Sequence, residues 1–159
     1  MQKSDFGERQ GLSLRCRGWA LNLTQNKAFC DTSFFFAALC PEDTNYIAAG
    51  ELLEYCKDHN VTLYTTWDVI SETVTLLRYR ANYLTAVSFL DMIRPALVII
   101  PYDDSVRAAA EKVFRKLSKD KRLSFCDAIS YVVITLLLEG IPCLTFDRDF
   151  RSLGLTVFP

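Results

Sequence analysis

Apolar residues along the chain fall into two patterns, which predict different elements. Short apolar or β-branched runs, typical of buried strands, occupy residues 27–31, 61–66, 96–100, 141–146 and 155–158. Longer segments place apolar residues at helical spacing, over 45–56, 67–80, 82–94, 103–117 and 124–139. Strands that alternate with helices predict an α/β fold, a sandwich in which a mainly parallel sheet is flanked by helices.

Some elements carry more detailed expectations. The aliphatic run 96–100 is continuous, as in a strand that is covered on both faces. The helix over 82–94 is expected to end before Pro95, because proline cannot continue a helix. The helix over 124–139 is apolar on nearly all sides, so we expect it in the core. We expect residues 1–26 to form an N-terminal extension that is either disordered or outside the functional unit. Residues 27–159 are expected to form a single domain.

Four acidic residues lie where such a fold binds ligands, beyond the carboxyl ends of its strands. Asp31 follows the run KAFC, and Asp147 follows CLTF. Asp127 lies in the first turn of the apolar helix over 124–139, whose N-terminus we expect at the same edge of the sheet. Glu72 falls about 40° past the apolar face of its helix, at the boundary between core and solvent.

Carboxylates from four separate elements would repel one another unless a cation held them together. Oxygen ligands favour a hard divalent ion, so the pattern predicts a Mg²⁺ or Mn²⁺ site. Each acid also has a purely structural alternative: Asp31 as a helix cap, and Asp127 as part of a capping box. Glu72 alone fits a surface position, and Asp147 and Asp149 fit caps of a turn. The joint arrangement favours the metal site.

The chain has 159 residues, the size of one domain, with a formal net charge of −1 and a pI near 5.8. This balance argues against nucleic-acid binding through overall positive charge, so an anionic partner requires a local basic patch or metal ions. The candidates for such a patch are Arg78, Arg80, residues 115–122, Arg148 and Arg151. The alternative is that these are solvated charges of loops and helix ends.

Cysteine usage and hydropathy bear on the compartment. The six cysteines show no CxxC pair and no regular spacing, which favours a reduced, cytoplasmic protein. The longest apolar helix candidate, over 125–138, is shorter than the ~18–20 residues of a bilayer crossing, so we expect no membrane span. The only histidine, His59, is interpreted as a solvated helix-end residue.

Several aromatic residues have two interpretations. Trp67, Tyr79, Tyr83 and the run Phe34–Phe36 are either stacking surfaces for nucleic-acid bases or residues that fill a core or a dimer face. The second interpretation is favoured, most strongly for Phe34–Phe36.

Four short motifs, FCDTSFF, ISETVTLL, LSFCDAISYVV and LTFDRDF, occur in this order over residues 27–159. Together they resemble the PIN domain, and in particular the VapC-type toxins of bacterial toxin–antitoxin pairs. The resemblance implies a PIN-like three-layer sandwich and a Mg²⁺- or Mn²⁺-dependent endoribonuclease that cleaves RNA phosphodiesters. By position, it implies catalytic, metal-binding acids at Asp31, Glu72, Asp127 and Asp147, with Asp149 as an additional acid close to the metal.

The same resemblance implies supporting hydroxyl groups and protein partners. Thr32, Ser33 and Thr145 are similar to hydroxyl positions that support the acids or the scissile phosphate. Asp147 is favoured over Asp149 as the direct ligand because it directly follows the strand. PIN toxins dimerise and offer an apolar groove to an antitoxin segment, so a homodimer and a protein antitoxin are implied. The 30 residues before the first aspartate are more than family members usually have.

Other function classes fit less well. A haloacid dehalogenase-like phosphatase requires an aspartate two residues after the first, where this chain has Ser33. A receiver domain requires an acidic pair after the first strand and a lysine after the last, and neither is in place. A non-toxin PIN nuclease and a catalytically inactive PIN-like module that only binds a partner stay open as alternatives.

Overall fold

A single parallel sheet forms the centre of the computed structural model, which describes residues 26–159. Its strands are ordered β3-β2-β1-β4-β5, and every neighbouring pair is parallel. The predicted extension over 1–26 lies outside the described residues, apart from its last position. The strands are β1 (Lys27–Cys30), β2 (Thr62–Thr65), β3 (Val98–Ile99), β4 (Cys143–Leu144) and β5 (Val157–Phe158).

Seven α-helices connect the strands in the described part of the chain, as the alternating pattern predicts. They are α1 (Thr32–Leu39), α2 (Tyr46–Asp58), α3 (Trp67–Arg80), α4 (Tyr83–Ser88), α5 (Asp104–Leu117), α6 (Phe125–Val132) and α7 (Arg148–Ser152). Helix α1 packs against α2, α3 against α4, and α5 against α6. Helix α3 also contacts α1 and α6, so it lies at the centre of the helices around the site described below.

Two long helical segments do not remain α-helical throughout. Helix α4 continues into a π-helical turn, Phe89–Ile93, and a 3₁₀ turn, Arg94–Ala96. The α- and π-helical part thus ends at Ile93, before Pro95 as predicted, and the proline is accommodated at the start of the separate 3₁₀ turn. Helix α6 likewise continues into a π-helical turn, Val133–Leu137.

The prediction of a strand covered on both faces over 96–100 is wrong. Only Val98 and Ile99 form a strand, β3, and it pairs with β2 alone at the edge of the sheet. Val98 consequently remains 41% exposed. Aliphatic character indicated a strand here, but which face is covered depends on neighbours that the local sequence does not specify.

The hydrophobic core surrounds β1 and is rich in phenylalanine. Phe29 of β1 and Phe34 and Phe35 of α1 are fully buried. The ring of Phe35 meets that of Phe89 edge to face, with centroids 5.1 Å apart. The interpretation of the Phe34–Phe36 run as core is confirmed for its first two members, and Phe36 is half-buried against the same core.

Trp67, Tyr79 and Tyr83 are exposed, so they do not fill the core of the chain. His59 lies at the solvated end of α2, as predicted, with its ring stacked on Tyr55. The five cysteines within residues 26–159 are free thiols, and none is in a disulfide. No helix in the same range has both the length and the apolar character that a membrane crossing requires.

Candidate active site

Asp31 lies at the carboxyl end of β1, where the sequence places it. It is the N-cap of α1, because its Oδ2 accepts a hydrogen bond from the backbone N–H of Ser33 at 3.1 Å. The same oxygen accepts from the Ser33 hydroxyl at 2.7 Å and from the Thr145 hydroxyl at 3.0 Å. Three donors therefore fix the orientation of this carboxylate through one of its two oxygens.

The second oxygen of Asp31 has no such partner. Asp31 is only 3% exposed, and its Oδ1 is buried without a hydrogen-bond donor. Burial raises the pKa of Asp31 above its ordinary value, although the hydrogen bonds from Ser33 and Thr145 act in the opposite direction. A buried carboxylate oxygen without a donor is costly unless a cation or a proton satisfies it.

Thr145, rather than Asp147, is the residue that directly follows strand β4. Its hydroxyl lies 3.0 Å from the Ser33 hydroxyl and accepts a hydrogen bond from the backbone N–H of Asp147 at 3.0 Å. Asp147 caps α7, where its Oδ1 accepts from the N–H of Asp149 at 2.8 Å. The reason given for favouring Asp147 over Asp149 as a direct ligand is therefore wrong, because the strand ends at Leu144.

Glu72 is half-buried on α3, at the boundary that the helical spacing predicts. Its Oε2 accepts a hydrogen bond from the Thr32 hydroxyl at 2.6 Å. Thr32 directly follows Asp31 in sequence, so this bond brings the Glu72 carboxylate to the same end of β1. No local pattern predicts a contact between residues 40 positions apart.

Asp127 lies in the first turn of α6 and is 8% exposed. It forms a reciprocal capping box with Ser124: the Ser124 hydroxyl accepts from the N–H of Asp127, and Asp127 Oδ2 accepts from the N–H of Ser124 at 2.7 Å. The pKa of Asp127 is raised from 3.8 to about 7, mainly by burial and next by the charge of Asp31. Glu72 adds a smaller contribution in the same direction.

The structure therefore brings three of the predicted acids together. The negative charges of Asp31 and Glu72 both act on Asp127, and the same two charges help to raise the pKa of the neighbouring Cys126 thiol, whose burial is the larger cause. Asp147 is connected to Asp31 through the Thr145 hydroxyl. In the described range, 26–159, no group of three or more His, Cys, Asp or Glu side chains is already arranged to hold a metal ion.

Each structural alternative for these acids is present in the fold. Asp31 and Asp147 cap helices, and Asp127 belongs to a capping box. Capping uses one oxygen of a carboxylate and leaves the other free for a ligand. The donor set fits a hard divalent ion, since it consists of carboxylates and includes the buried, unpartnered Oδ1 of Asp31.

Two cavities open at this site. One, of about 590 Å³, is lined by Ser33, Asp147, Arg148 and Asp149 among others. The other, of about 490 Å³, is lined by Glu72 and Cys126 and lies between α3 and α6. Leu76 of α3, one turn after Glu72, lines both, so the two cavities adjoin at this residue.

The sequence did not indicate the role of Asp68. Its carboxylate accepts a hydrogen bond from the hydroxyl of Tyr102, and it lines the cavity that also contains Glu72. The available signal was its position four residues before Glu72, which places the two acids on one face of α3. Tyr102 follows β3, and nothing in its local sequence indicates this partner.

Comparison with known proteins identifies relatives at the level of sequence. The chain matches the family model of the PIN domain over residues 28–155. It is 32% identical over 126 residues to a protein named VapC ribonuclease from Archaeoglobus fulgidus, and this alignment covers 77% of the chain and 78% of that protein.

Solved structures give the same fold. Mycobacterium tuberculosis VapC20, described as a sarcin-ricin loop cleaving toxin, matches with a TM-score of 0.71 at 24% identity, over 81% of this chain and 96% of that one. FitAcB from Neisseria gonorrhoeae matches with a TM-score of 0.54 at 17% identity, over 83% and 96% of the two chains. The predicted PIN-like sandwich is confirmed. By its family match and its archaeal relative, the chain belongs to the PIN domain family.

Proposed function

We propose that this protein is an endoribonuclease that requires Mg²⁺ or Mn²⁺ and acts as the toxin of a VapBC-type pair. The observation that carries the proposal is the Oδ1 of Asp31, a buried carboxylate oxygen without a donor beside two further acids that raise the local negative potential. Buried charges in proteins are paired or coordinate metals. The archaeal relative named VapC ribonuclease supports RNA as the substrate.

In this proposal Asp31, Glu72, Asp127 and Asp147 would hold the ion, with Asp149 as an additional acid close to it. A bound divalent ion would neutralise these carboxylates, coordinate a phosphate oxygen and lower the pKa of a bound water.

The hydroxyl groups would position the ligands. Ser33 and Thr145 hold Oδ2 of Asp31 and so turn its Oδ1 away from their own donors. Thr32 holds Glu72 at 2.6 Å. In the metal-free protein, burial and the neighbouring acids raise the pKa of Asp127 to about 7, and a bound cation would favour its ionised form.

The remaining parts of the proposal concern assembly and location. A homodimer and a protein antitoxin are expected for a VapC-type toxin, and RNA as substrate implies action in the cytoplasm. The exposed Arg148, which lines the cavity with Asp147 and Asp149, is suited to neutralise a phosphate of the substrate.

The test is RNA cleavage by the full chain in Mg²⁺, in Mn²⁺ and in excess EDTA, together with the variants Asp31→Asn and Asp58→Asn. Asp58 is an exposed aspartate at the end of α2 and serves as the matched control. We expect cleavage that needs the metal, a loss of at least about 100-fold in Asp31→Asn and no change in Asp58→Asn, because replacing even the outer-shell partners of metal ligands costs about 10- to 100-fold. Equal cleavage by both variants, or full activity in EDTA, would contradict the proposal.

The toxin role needs a separate measurement. Induced expression of the wild-type chain in a bacterial host should arrest growth, whereas Asp31→Asn should not. Metal-dependent cleavage without growth arrest would identify a non-toxin PIN nuclease instead.

A further inference from the structure

A groove between α3 and α6 runs outward from the carboxylates. Its volume is about 490 Å³, within the range of about 300–1,000 Å³ of small-ligand sites. Helix α3 contributes one continuous face to it, with residues that recur every three or four positions: Asp68, Ser71, Glu72, Thr75, Leu76, Tyr79 and Arg80. Helix α6 forms the opposite wall with Phe125, Cys126 and Ile129.

The character of the α3 face changes along the helix. Its inner end carries the acid Glu72, and its outer end carries Tyr79 and Arg80. With a rise of 1.5 Å per residue, Arg80 lies about 12 Å along the helix from Glu72. A stacked strand advances about 3.4 Å per nucleotide, so this distance corresponds to about three nucleotides.

The groove offers aromatic surface to solvent at two places. Tyr79, at the outer end of the α3 face, is 81% exposed, and Phe125, which directly precedes Cys126 in α6, is 42% exposed. The Phe125 ring contacts that of Phe114 in an edge-to-face arrangement, with centroids 5.8 Å apart. Such an exposed ring is suited to stacking, and stacking accepts any base because every base has a π face.

The charge at the outer end fits a nucleic acid better than an apolar segment of a protein. Arg80 is exposed and, within residues 26–159, forms no ion pair with a carboxylate. The acids of the groove lie at its inner end, where Asp68 already accepts a hydrogen bond from Tyr102 and where the proposed metal ion would offset Glu72. A chain of phosphates could therefore run from Arg80 to the metal site.

We propose that the α3–α6 groove binds unpaired nucleotides of the RNA substrate, over the roughly three nucleotides that lead to the scissile phosphate. Tyr79 stacks on a base at the outer end, Phe125 stacks on a base nearer the carboxylates, and Arg80 neutralises a phosphate. This inference rests on the proposed ribonuclease function. It implies a preference for single-stranded RNA, because a base within a duplex is not free to enter the groove.

The experiment measures RNA binding by the full chain in the Asp31→Asn background, which prevents cleavage, with Mg²⁺ present. The probes are fluorescent single-stranded oligouridine and oligoadenine of about 12 nucleotides, long enough for a site of this size, and a blunt duplex of the same length. The test variants are Tyr79→Ala, Tyr79→Trp and Arg80→Gln. Their controls are Tyr46→Ala and Lys57→Gln, which alter an exposed tyrosine and an exposed cation of α2 that do not line the groove.

We expect Tyr79→Ala to weaken single-strand binding by about 5- to 100-fold and to leave duplex binding unchanged, with Tyr79→Trp restoring affinity. Arg80→Gln should lower the slope of log K against log salt by about 0.7, as expected for one lost phosphate contact with a single strand. Neither control should change affinity or slope. A purely structural role of Tyr79 would not separate single-stranded from double-stranded probes.

Two results would overturn the inference. If Tyr79→Ala binds single strands as tightly as Tyr46→Ala, the groove is not a base site. If Tyr79→Ala instead converts a dimer to a monomer in sedimentation while RNA affinity is unchanged, the groove is a contact between protein chains. In either case metal-dependent cleavage by the wild type would leave the proposed function standing, whereas absence of cleavage would remove that function itself.

Discussion

Replacing Asp127 by asparagine should stabilise the metal-free protein at neutral pH. Asparagine retains an oxygen that can accept the hydrogen bond from the N–H of Ser124, so the capping box loses no acceptor. It removes, however, a negative charge that is buried beside Asp31 and Glu72. The perturbation therefore isolates the cost of ionising this carboxyl group in the folded state.

The magnitude follows from the pKa of Asp127, which folding raises from 3.8 to about 7. Between these values the folded state binds a proton that the unfolded state has lost, so the free energy of unfolding falls as pH rises. The slope approaches about 1.4 kcal/mol per pH unit between the two pKa values and flattens near pH 7, which gives a loss of about 2–3 kcal/mol between pH 5 and pH 8. Above about pH 8 both states are ionised, and the contribution stays constant.

The assay is urea unfolding in EDTA at pH 5, 6, 7 and 8 for the wild type, for Asp127→Asn and for the exposed control Glu51→Gln. The gap between wild type and Asp127→Asn should grow by about 2–3 kcal/mol from pH 5 to pH 8, in favour of the variant. The control should follow the wild type. Parallel curves for wild type and Asp127→Asn would refute the reasoning, because they would mean that Asp127 ionises as easily in the folded as in the unfolded chain.

Further substitutions test the hydrogen bonds and the core. Thr145→Val removes a hydrogen-bond donor to Asp31 and the acceptor of the Asp147 N–H. It should therefore lower the free energy of unfolding by about 1–3 kcal/mol in urea titrations. An unchanged value would mean that water replaces the hydroxyl. Thr32→Val removes the donor to the half-exposed Glu72 and should cost about 1 kcal/mol in the same titration. It should also reduce cleavage more than the control Thr156→Val, an exposed threonine outside both cavities, and equal cleavage by the two variants would exclude a positioning role. Phe89→Ala should cost about 3–5 kcal/mol in thermal unfolding, and a cost below about 1 kcal/mol would mean that the core collapses around the gap.

The sequence predicted those parts of the site that depend on local periodicity. The bounds of α3 agree with the prediction, and Glu72 lies at the margin of its apolar face as the helical spacing requires. Asp31 follows β1 as predicted, because the three consecutive apolar positions Ala28, Phe29 and Cys30 end directly before this charged residue.

The end of β4 lies two residues earlier than the sequence predicted, for a physical reason. The run 141–146 continues to Phe146, but the strand ends at Leu144, and Thr145 takes the position beside Asp31. Strand length depends on the ladder to β1 and β5, which residues 141–146 do not specify. Two hydrogen bonds join residues far apart in the sequence: Thr32 bonds to Glu72, 40 positions away, and Tyr102 bonds to Asp68, 34 positions away. Such contacts arise only once the elements have packed.

The outermost strands, β3 and β5, contain two residues each. A second molecule could extend the sheet only by backbone pairing with one of these edge strands, and either strand is too short for a stable ladder. Growth of ordered fibrils from the native state is therefore disfavoured by geometry, even though the neighbouring sequence is aliphatic. The short edge strands therefore disfavour aggregation through the sheet edges, in a chain of which half the residues are hydrophobic.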